Sequence, residues 1–302
     1  MNQMLLSLMA KGLEAGARRA YKKDTAPQEN QVGKILENIS YLPDGKEEHL
    51  LDIIYPTRKA EQYPFIINIH GGGFSMNSKD RIYRNYGMRL AADRYAVINL
   101  NFTLAGDACY PVQMQDVLAA LRYIKNNFYK YQLDLEQCYL SGDSSGAYMA
   151  MMTACILTNE TLQKYYGHVP EIRIRAVAAN CGMYDFTTFL CREIQFPMRR
   201  QIAEILFGSK EYEKLPVYQY SSVFLYMGPD FPPVYLMDTE YRSFATEAYL
   251  LEEQLKKNKI RYQMHMFAKK EKLMHAFHIM SRFPQSRIVL QEIFAFFDGC
   301  QE

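Results

Sequence analysis

The sequence predicts an α/β fold with a mostly parallel central sheet and helices on both of its faces. Near-continuous apolar runs that include β-branched residues occupy residues 65–69 and 96–102, as expected of strands covered on both faces. Residues 83–94 between them have a helical composition, and residues 116–126 place apolar side chains on one helical face. Such alternation favours a parallel sheet, because two parallel strands need a crossover connection. Further strands are predicted at 50–55, 138–140, 174–179, 234–237 and 260–267, and further helices at 147–158, 246–257 and 287–297.

One stretch of the chain interrupts this alternation. Residues 183–231 are helical in composition and rich in aromatic residues, and they lie between two predicted strands. We therefore expect a core made of residues 37–182 and 232–302, with residues 183–231 inserted as a helical cap over the strand ends. Residues 1–36 are predicted to be helical and to contribute to the cap.

The composition is that of an ordinary globular protein, with 302 residues, 49% hydrophobic and 23% charged. A net charge of +2 provides no basic field for nucleic acid. The apolar residues 4–10 lack a preceding positive charge and are interpreted as part of an amphipathic helix, and residues 147–157 are too few to span a bilayer. The six cysteines show no metal-ligand spacing. We expect a cytoplasmic protein without metal or other cofactor, without stable membrane insertion, and compatible with a homo-oligomer.

The segment 142–146, Gly-Asp-Ser-Ser-Gly, predicts a serine nucleophile. Serine attacks an acyl group only when its hydroxyl is presented free of its own backbone and a base takes its proton. A sharp turn from strand to helix achieves this presentation, and Gly142 and Gly146 flank Ser144 where chain segments must approach closely. Asp143 is expected to brace the turn.

The segment 70–73, His-Gly-Gly-Gly, follows another strand-like run and predicts an oxyanion hole. Gly72 and Gly73 lack side chains, so an acyl oxygen can approach their N–H groups. Ser145 would add a third N–H at the start of the helix, where the helix dipole favours negative charge. His70 is expected to hold the glycine loop rather than act as a base.

Four segments in this order resemble the hormone-sensitive-lipase-like branch of the α/β-hydrolase esterases, over roughly residues 50–300. The resemblance implies an α/β-hydrolase fold and hydrolysis of a small-molecule carboxylic ester by a Ser-His-Asp triad, with a cap that shapes the acyl pocket. The cap aromatics suit short- to medium-chain or aromatic esters. The segments are residues 67–74, residues 101–105 with 110–117, residues 142–147, and residues 231–233.

The predicted general base is His275. The order nucleophile, acid, histidine places the base after the last strand. Residues 274–277 resemble the His-Gly-Phe of the family, with Ala276 in place of glycine. His278 is the alternative, because three residues along a helical turn could bring both rings to one edge of the sheet.

The acid that should orient the base is ambiguous in the sequence. Counted without gaps from Pro232 and Pro233, the aspartate position of the family falls on Arg242, whose charge would disfavour an imidazolium. Asp238, at the predicted strand end, and Glu240, in the loop, are the two nearby candidates, and Asp185, just after the predicted strand that ends at Cys181-Gly182, is a third. Glu240 lies closer to the expected position and has the longer reach.

Three functions therefore remain open. The first is a serine carboxylesterase with the residues above. The arginine at position 242 motivates the second, a catalytically impaired hydrolase fold that binds a small acyl or hydrophobic ligand. The third is a peptidase or deacetylase on the same fold, which the sequence does not separate from an esterase.

Overall fold

The computed structural model describes Asp24 and residues 31–92, 94–191 and 199–301. Residues 1–36, predicted to be helical, lie mostly outside these ranges, and the prediction is wrong for residues 35 and 36, which belong to a strand. A single eight-stranded sheet runs through the described part of the chain. Its strands are β1 (Ile35–Ser40), β2 (Leu50–Ile54), β3 (Tyr63–Ile69), β4 (Ala96–Leu100), β5 (Leu133–Asp143), β6 (Ile174–Asn180), β7 (Val234–Thr239) and β8 (Tyr262–Phe267).

The strands follow the order β1-β2-β4-β3-β5-β6-β7-β8 across the sheet. The pairs β1–β2 and β2–β4 are antiparallel, and β4, β3, β5, β6, β7 and β8 run parallel to one another. The predicted mostly parallel α/β sheet is thereby confirmed. All the parallel strands end at the same edge, where loops carry the predicted site residues.

The α-helices of the described ranges connect these strands, and short 3₁₀ turns accompany them. The α-helices are α1 (Ile82–Ala91), α2 (Val112–Asn127), α3 (Ser145–Thr158), α4 (Glu160–Tyr166), α5 (Phe186–Cys191), α6 (Arg199–Phe207), α7 (Val223–Tyr226), α8 (Ala245–Lys257) and α9 (Pro284–Asp298). The 3₁₀ turns are Glu47–His49, Tyr212–Lys214, Pro216–Tyr220, Lys269–Glu271 and Phe277–Ile279. No helix in these ranges is both long and apolar enough to cross a lipid bilayer.

The two faces of the sheet bury separate apolar cores. Successive strand residues point to opposite faces, so Ile66 belongs to one core and its neighbour Ile67 to the other. Helices α1 and α9 cover the Ile66 face, and α2, α3 and α8 cover the Ile67 face. This two-sided cover explains why the central strands are almost continuously apolar.

The insertion between β6 and β7 contains α5, α6 and α7, and it packs on the Ile67 face. Its aromatic rings contact the core directly, because Phe186 lies 5.4 Å from the ring of Tyr148 and 6.2 Å from that of Phe74. Phe196 and Met198, which also belong to the predicted cap segment 183–231, lie outside the described residues.

Candidate active site

Ser144 occupies a strained turn between β5 and α3. Its backbone has φ 53° and ψ −120°, outside the regions that non-glycine residues normally occupy. The strain persists because the turn is bonded on both sides. The Ser144 N–H donates to Asn180 O at 3.0 Å, and its carbonyl accepts the N–H of Tyr148 at 3.2 Å. This is the geometry of a nucleophile elbow.

The glycines on either side of Ser144 are required by close backbone contacts. A Cβ at Gly142 would lie 2.3 Å from Gly146 O, and a Cβ at Gly146 would lie 2.1 Å from Ile69 O. Real carbon atoms do not approach carbonyl oxygens this closely, so any side chain would displace the start of α3 from β3. The elbow therefore depends on both glycines.

The glycine loop lies beside this elbow, because β3 and β5 are neighbouring parallel strands with Ile69 opposite Gly142. Gly72 and Gly73 have φ values of 128° and 58°, which favour glycine. A Cβ at Gly72 would lie 2.3 Å from a backbone oxygen of the same loop. Ser145 is the first residue of α3, where an N–H has no carbonyl one turn earlier to bond. The three predicted oxyanion donors are therefore carried by adjacent strand ends.

Asp143 connects the elbow to the glycine loop. Its Oδ1 accepts the N–H of Gly71 at 3.1 Å, and its Oδ2 accepts the hydroxyl of Tyr83 at 3.0 Å. The Tyr83 oxygen in turn accepts the Gly71 N–H at 2.9 Å. Burial raises the pKa of the Asp143 carboxyl to about 7. These contacts hold the turn and the glycine loop together, which is the role expected for Asp143.

His70 is buried beneath the same loop. Its ring stacks on Phe102 with centroids 4.4 Å apart, and its Nδ1 lies 2.9 Å from Gly71 O. Burial lowers the pKa of His70 to about 4, so the ring is neutral near neutral pH. These contacts fit the predicted structural role.

The predicted base and one candidate acid are linked through a third residue. Ser243 Oγ donates to Asp238 Oδ1 at 2.5 Å and lies 2.9 Å from His275 Nδ1. Asp238 is fully buried near the end of β7 and also accepts the N–H of Thr239 at 2.7 Å. His275 is half-buried in the loop after β8, with its ring 4.4 Å from that of Phe244. Sequence reasoning missed Ser243, because a serine in a loop carries no distinctive signal.

Burial is the main cause of the pKa shifts of Asp238 and His275. It raises the pKa of Asp238 to about 7, although hydrogen bonds from Ser243 and from the Thr239 N–H oppose the shift. It lowers the pKa of His275 to about 4. The ring is therefore neutral at pH 7, as a general base must be before it takes a proton.

The other acid candidates have different surroundings. Glu240 is exposed, and its carboxylate accepts the Lys269 N–H at 3.0 Å and the Tyr249 hydroxyl at 3.3 Å. Arg242 is exposed, with its guanidinium carbon 5.3 Å from the ring centre of Tyr241.

The alternative base His278 is fully buried on the Ile66 face. Its ring meets Tyr86 edge-on at 5.4 Å and Phe277 at 6.2 Å. Burial lowers its pKa to about 3. His278 thus belongs to the packing beneath the loop that carries His275.

The inserted helices approach the glycine loop. The nearest atom to a Cβ built at Gly73 is Ile202 Cδ1 of α6, at 3.5 Å. Within the described ranges, no group of three or more His, Cys, Asp or Glu side chains is arranged to hold a metal ion.

A serine elbow and a glycine loop at the carboxyl edge of this sheet define an α/β-hydrolase. The solved structure of esterase B from Lactobacillus rhamnosis (HN001) has the same fold, with a TM-score of 0.88 at 23% identity over 99% of this chain and 96% of that one. A further structure of that esterase, inhibited with a C4-C4 SN3 tributyrin phosphonate, matches with a TM-score of 0.85 at 23% identity, over 100% of this chain and 97% of that one. The predicted α/β-hydrolase fold is confirmed.

The chain belongs to the BD-FAE family, whose model matches residues 51–244, within the hormone-sensitive-lipase-like α/β-hydrolase esterases. Esterase LipQ of Mycobacterium tuberculosis (strain ATCC 25618 / H37Rv) is 23% identical over 67% of this chain and 48% of its own length. An acetyl esterase of Salmonella typhi is 29% identical over 46% of this chain and 40% of its own length. The alignments thus span about half or less of these curated relatives.

Proposed function

We propose that this protein hydrolyses carboxylic esters through an acyl-enzyme on Ser144, with His275 as the base. The observation that carries the proposal is the pairing of a strained serine elbow with a hydrogen-bonded Asp238–Ser243–His275 chain. Ser144 follows β5 and His275 follows β8, so both lie at the carboxyl edge of one parallel sheet. Membership of an esterase family supports the same chemistry.

In this mechanism, Ser144 Oγ attacks the carbonyl carbon of the ester while His275 Nε2 takes its proton. The N–H groups of Gly72, Gly73 and Ser145 stabilise the oxyanion that forms. The imidazolium then gives its proton to the departing alkoxide, and the alcohol leaves. Water attacks the acyl-enzyme by the same route and releases the carboxylic acid.

For the acid we propose Asp238 rather than Glu240. The Asp238 carboxylate connects to His275 through one hydroxyl, whereas Glu240 is exposed and bonded to Tyr249 and Lys269. Desolvation strengthens electrostatic interactions, so a buried carboxylate stabilises an imidazolium more than an exposed one does.

We propose short- to medium-chain or aromatic esters as substrates. Ile202 of α6 lies 3.5 Å from the Cβ position of Gly73, which limits the space above the glycine loop. An acetyl esterase among the relatives and the tributyrin phosphonate on the similar esterase B support the same size class.

We also propose a cytoplasmic location. The support is chemical, because the cysteines at positions 109, 138, 155, 181 and 300 carry free thiols. Free thiols of this number are typical of a reducing compartment.

The test is hydrolysis of p-nitrophenyl acetate, butyrate and palmitate by the wild type and by Ser144→Ala. We expect the wild type to cleave the two short esters, and Ser144→Ala to lower kcat by about 10⁵-fold or more. A fluorophosphonate probe should label the wild type and leave Ser144→Ala unlabelled. Equal rates for the two proteins would contradict the esterase and leave the ligand-binding alternative.

A further inference from the structure

Counted without gaps, the position of the family's triad aspartate falls on Arg242, which is exposed, so the acid proposed here, Asp238, comes from a different position. Asp238 lies four residues earlier, buried within β7, and its carboxylate is connected to His275 by hydrogen bonds through Ser243. Ser243 Oγ fills the gap, 2.5 Å from the carboxylate and 2.9 Å from the ring nitrogen. The connection from acid to base therefore contains one additional hydroxyl.

Counting protons fixes the direction of both hydrogen bonds. A serine hydroxyl has one proton to donate and two lone pairs to accept with. When Asp238 is ionised it can only accept, so it takes the Ser243 proton. The second bond then requires that His275 Nδ1 carries a proton and donates it to Ser243 Oγ. The proton of the neutral ring is thus held on Nδ1, and Nε2 keeps the lone pair that a general base needs.

We propose that Ser243 is a positioning residue that transmits the tautomer preference of Asp238 to His275. This inference rests on the proposed function, because the tautomer matters for a base that acts through Nε2. The hydroxyl also sets the ring orientation, since the bond to Nδ1 and the contact with Phe244 hold the imidazole on two sides. No proton needs to travel along the relay during turnover, as in triads where the carboxylate stays ionised.

A relay built on a hydroxyl differs from a direct carboxylate in one testable way. The Ser243 hydroxyl can reverse the direction of both of its hydrogen bonds. A donor at position 238 would donate to Ser243 Oγ, and Ser243 would then donate to His275 Nδ1. The ring proton would move to Nε2, and the base would be lost. Asp238→Asn places an amide N–H₂ at this position and allows that reversal.

The first experiment is a double-mutant cycle on ester hydrolysis. We expect Ser243→Ala and Asp238→Asn each to lower kcat by about 10²- to 10³-fold, with KM changed less than about 3-fold, since neither residue is placed to bind the ester. The double variant should be no more than about 3-fold slower than the slower single variant, because both changes break one connection. Multiplicative losses would show that the two residues act separately and would overturn the relay.

A matched serine controls for the loss of a buried hydroxyl. Ser286 is buried and donates to His278 O at 2.7 Å while accepting from Arg89 at 2.7 Å. Ser286→Ala should lower thermal stability about as much as Ser243→Ala while kcat stays within about 3-fold of the wild type. Ser243→Thr keeps the hydroxyl and should recover most of the activity lost in Ser243→Ala.

The second experiment reads the tautomer directly and does not depend on catalysis. In ¹⁵N-histidine-labelled protein at pH 8, His275 should show a protonated Nδ1 and an unprotonated Nε2, also in the Ser144→Ala background. Asp238→Asn should move the proton to Nε2, and Ser243→Ala should leave a mixture of tautomers. An Nδ1–H tautomer that survives in Ser243→Ala would overturn the relay, whereas loss of the ester hydrolysis alone would count against the proposed function.

Discussion

The proposed nucleophile region and the proposed acid–base region of this site are built in different ways. The nucleophile region, residues 69–73 and 142–146, is held by backbone contacts that only glycine permits, such as Gly146 against Ile69 O. The acid–base region, residues 238–243 and 275, is held by side chains that meet across two loops. The nucleophile region therefore depends on positions without side chains. The acid–base region depends on side chains long enough to meet between the two loops.

This difference determines what each region tolerates. A backbone contact has no freedom to adjust, so the elbow and glycine loop require particular residues at fixed positions. A series of hydrogen-bonded side chains can be formed by residues at other positions, provided that it still connects a carboxylate to the histidine ring. The proposed relay through Ser243 is one such solution, with the proposed acid Asp238 four residues before the position at which ungapped counting places the family's aspartate.

The largest effect should come from adding a single methyl group to the nucleophile region. In Gly146→Ala the new Cβ would lie 2.1 Å from Ile69 O, so the start of α3 has to move away from β3. We expect a stability loss of about 3 kcal/mol or more and no measurable hydrolysis of p-nitrophenyl butyrate. Thermal unfolding and the kinetic assay measure the two effects.

Gly228→Ala is the matched control, because a Cβ at Gly228 has no atom within 4 Å. It should leave both stability and activity close to wild-type values. If Gly146→Ala were as stable and active as this control, the elbow would not depend on the backbone contact.

An intermediate effect should appear in the pH profile of the acid–base region. Burial raises the pKa of Asp238 to about 7, and the relay holds the active tautomer when this carboxyl is ionised. We therefore expect kcat/KM to rise as the pH increases through about 7. His275 has its pKa lowered to about 4, so it is neutral throughout this range. The thiol of Cys181 and the phenol of Tyr184, which interact with Asp238, stay protonated because their pKa values are well above normal.

Asp238→Asn should remove the rise of kcat/KM near pH 7 and leave a low kcat/KM that does not change between pH 5 and 9. The same titration has the opposite sign for stability: the folded pKa lies above the usual value of 3.8, so the folded state binds more protons from about pH 4 to 7. The Asp238 contribution to stability is thus lost as the pH rises through about 7, and Asp238→Asn should flatten the pH dependence of the melting temperature. If kcat/KM still rises near pH 7 in Asp238→Asn, the rise reports the titration of another group, such as Asp143. Burial also raises the pKa of Asp143 to about 7.

The smallest effect should come from the residue that departs most visibly from the resembling family. Arg242 is exposed and lies over the Tyr241 ring, a contact worth about 0.5 kcal/mol at the surface. We expect Arg242→Ala to keep kcat/KM within about 2-fold of the wild type in the p-nitrophenyl butyrate assay. A loss of tenfold or more would place part of the acid–base function at position 242.

The central strands and the nucleophile motif could be predicted from the sequence because each has a local signal. Buried parallel strands are nearly all apolar, and the elbow needs glycines at fixed spacing from its serine. Strand β1 was not predicted. It is an antiparallel edge strand with exposed polar residues among its apolar ones, and the pairing with β2 shifts register within it.

Local sequence patterns were not sufficient to predict the acid–base region. The sequence predicted His275 as the base with His278 as the alternative, and it left the acid open between Asp238 and Glu240, with Arg242 at the aspartate position when counted without gaps. It could not decide the acid, because the burial and partners of these side chains depend on loops that follow β7 and β8. The structure buries His278 among aromatic rings, exposes Glu240, and connects Asp238 to His275.

The sequence by itself determined the mostly parallel α/β sheet, the serine turn and the glycine loop, because hydrophobic pattern and glycine spacing act over a few residues, and the resemblance of its motifs implied the α/β-hydrolase fold. Only the tertiary structure shows the hydrogen-bonded connection between Asp238 and His275, the proposed acid and base. Ser243 gains its role from lying between a buried strand end and a loop that is 32 residues away in the chain. A hydrogen bond of 2.9 Å between such distant residues depends on how two strands and their loops pack, and no local pattern encodes that distance.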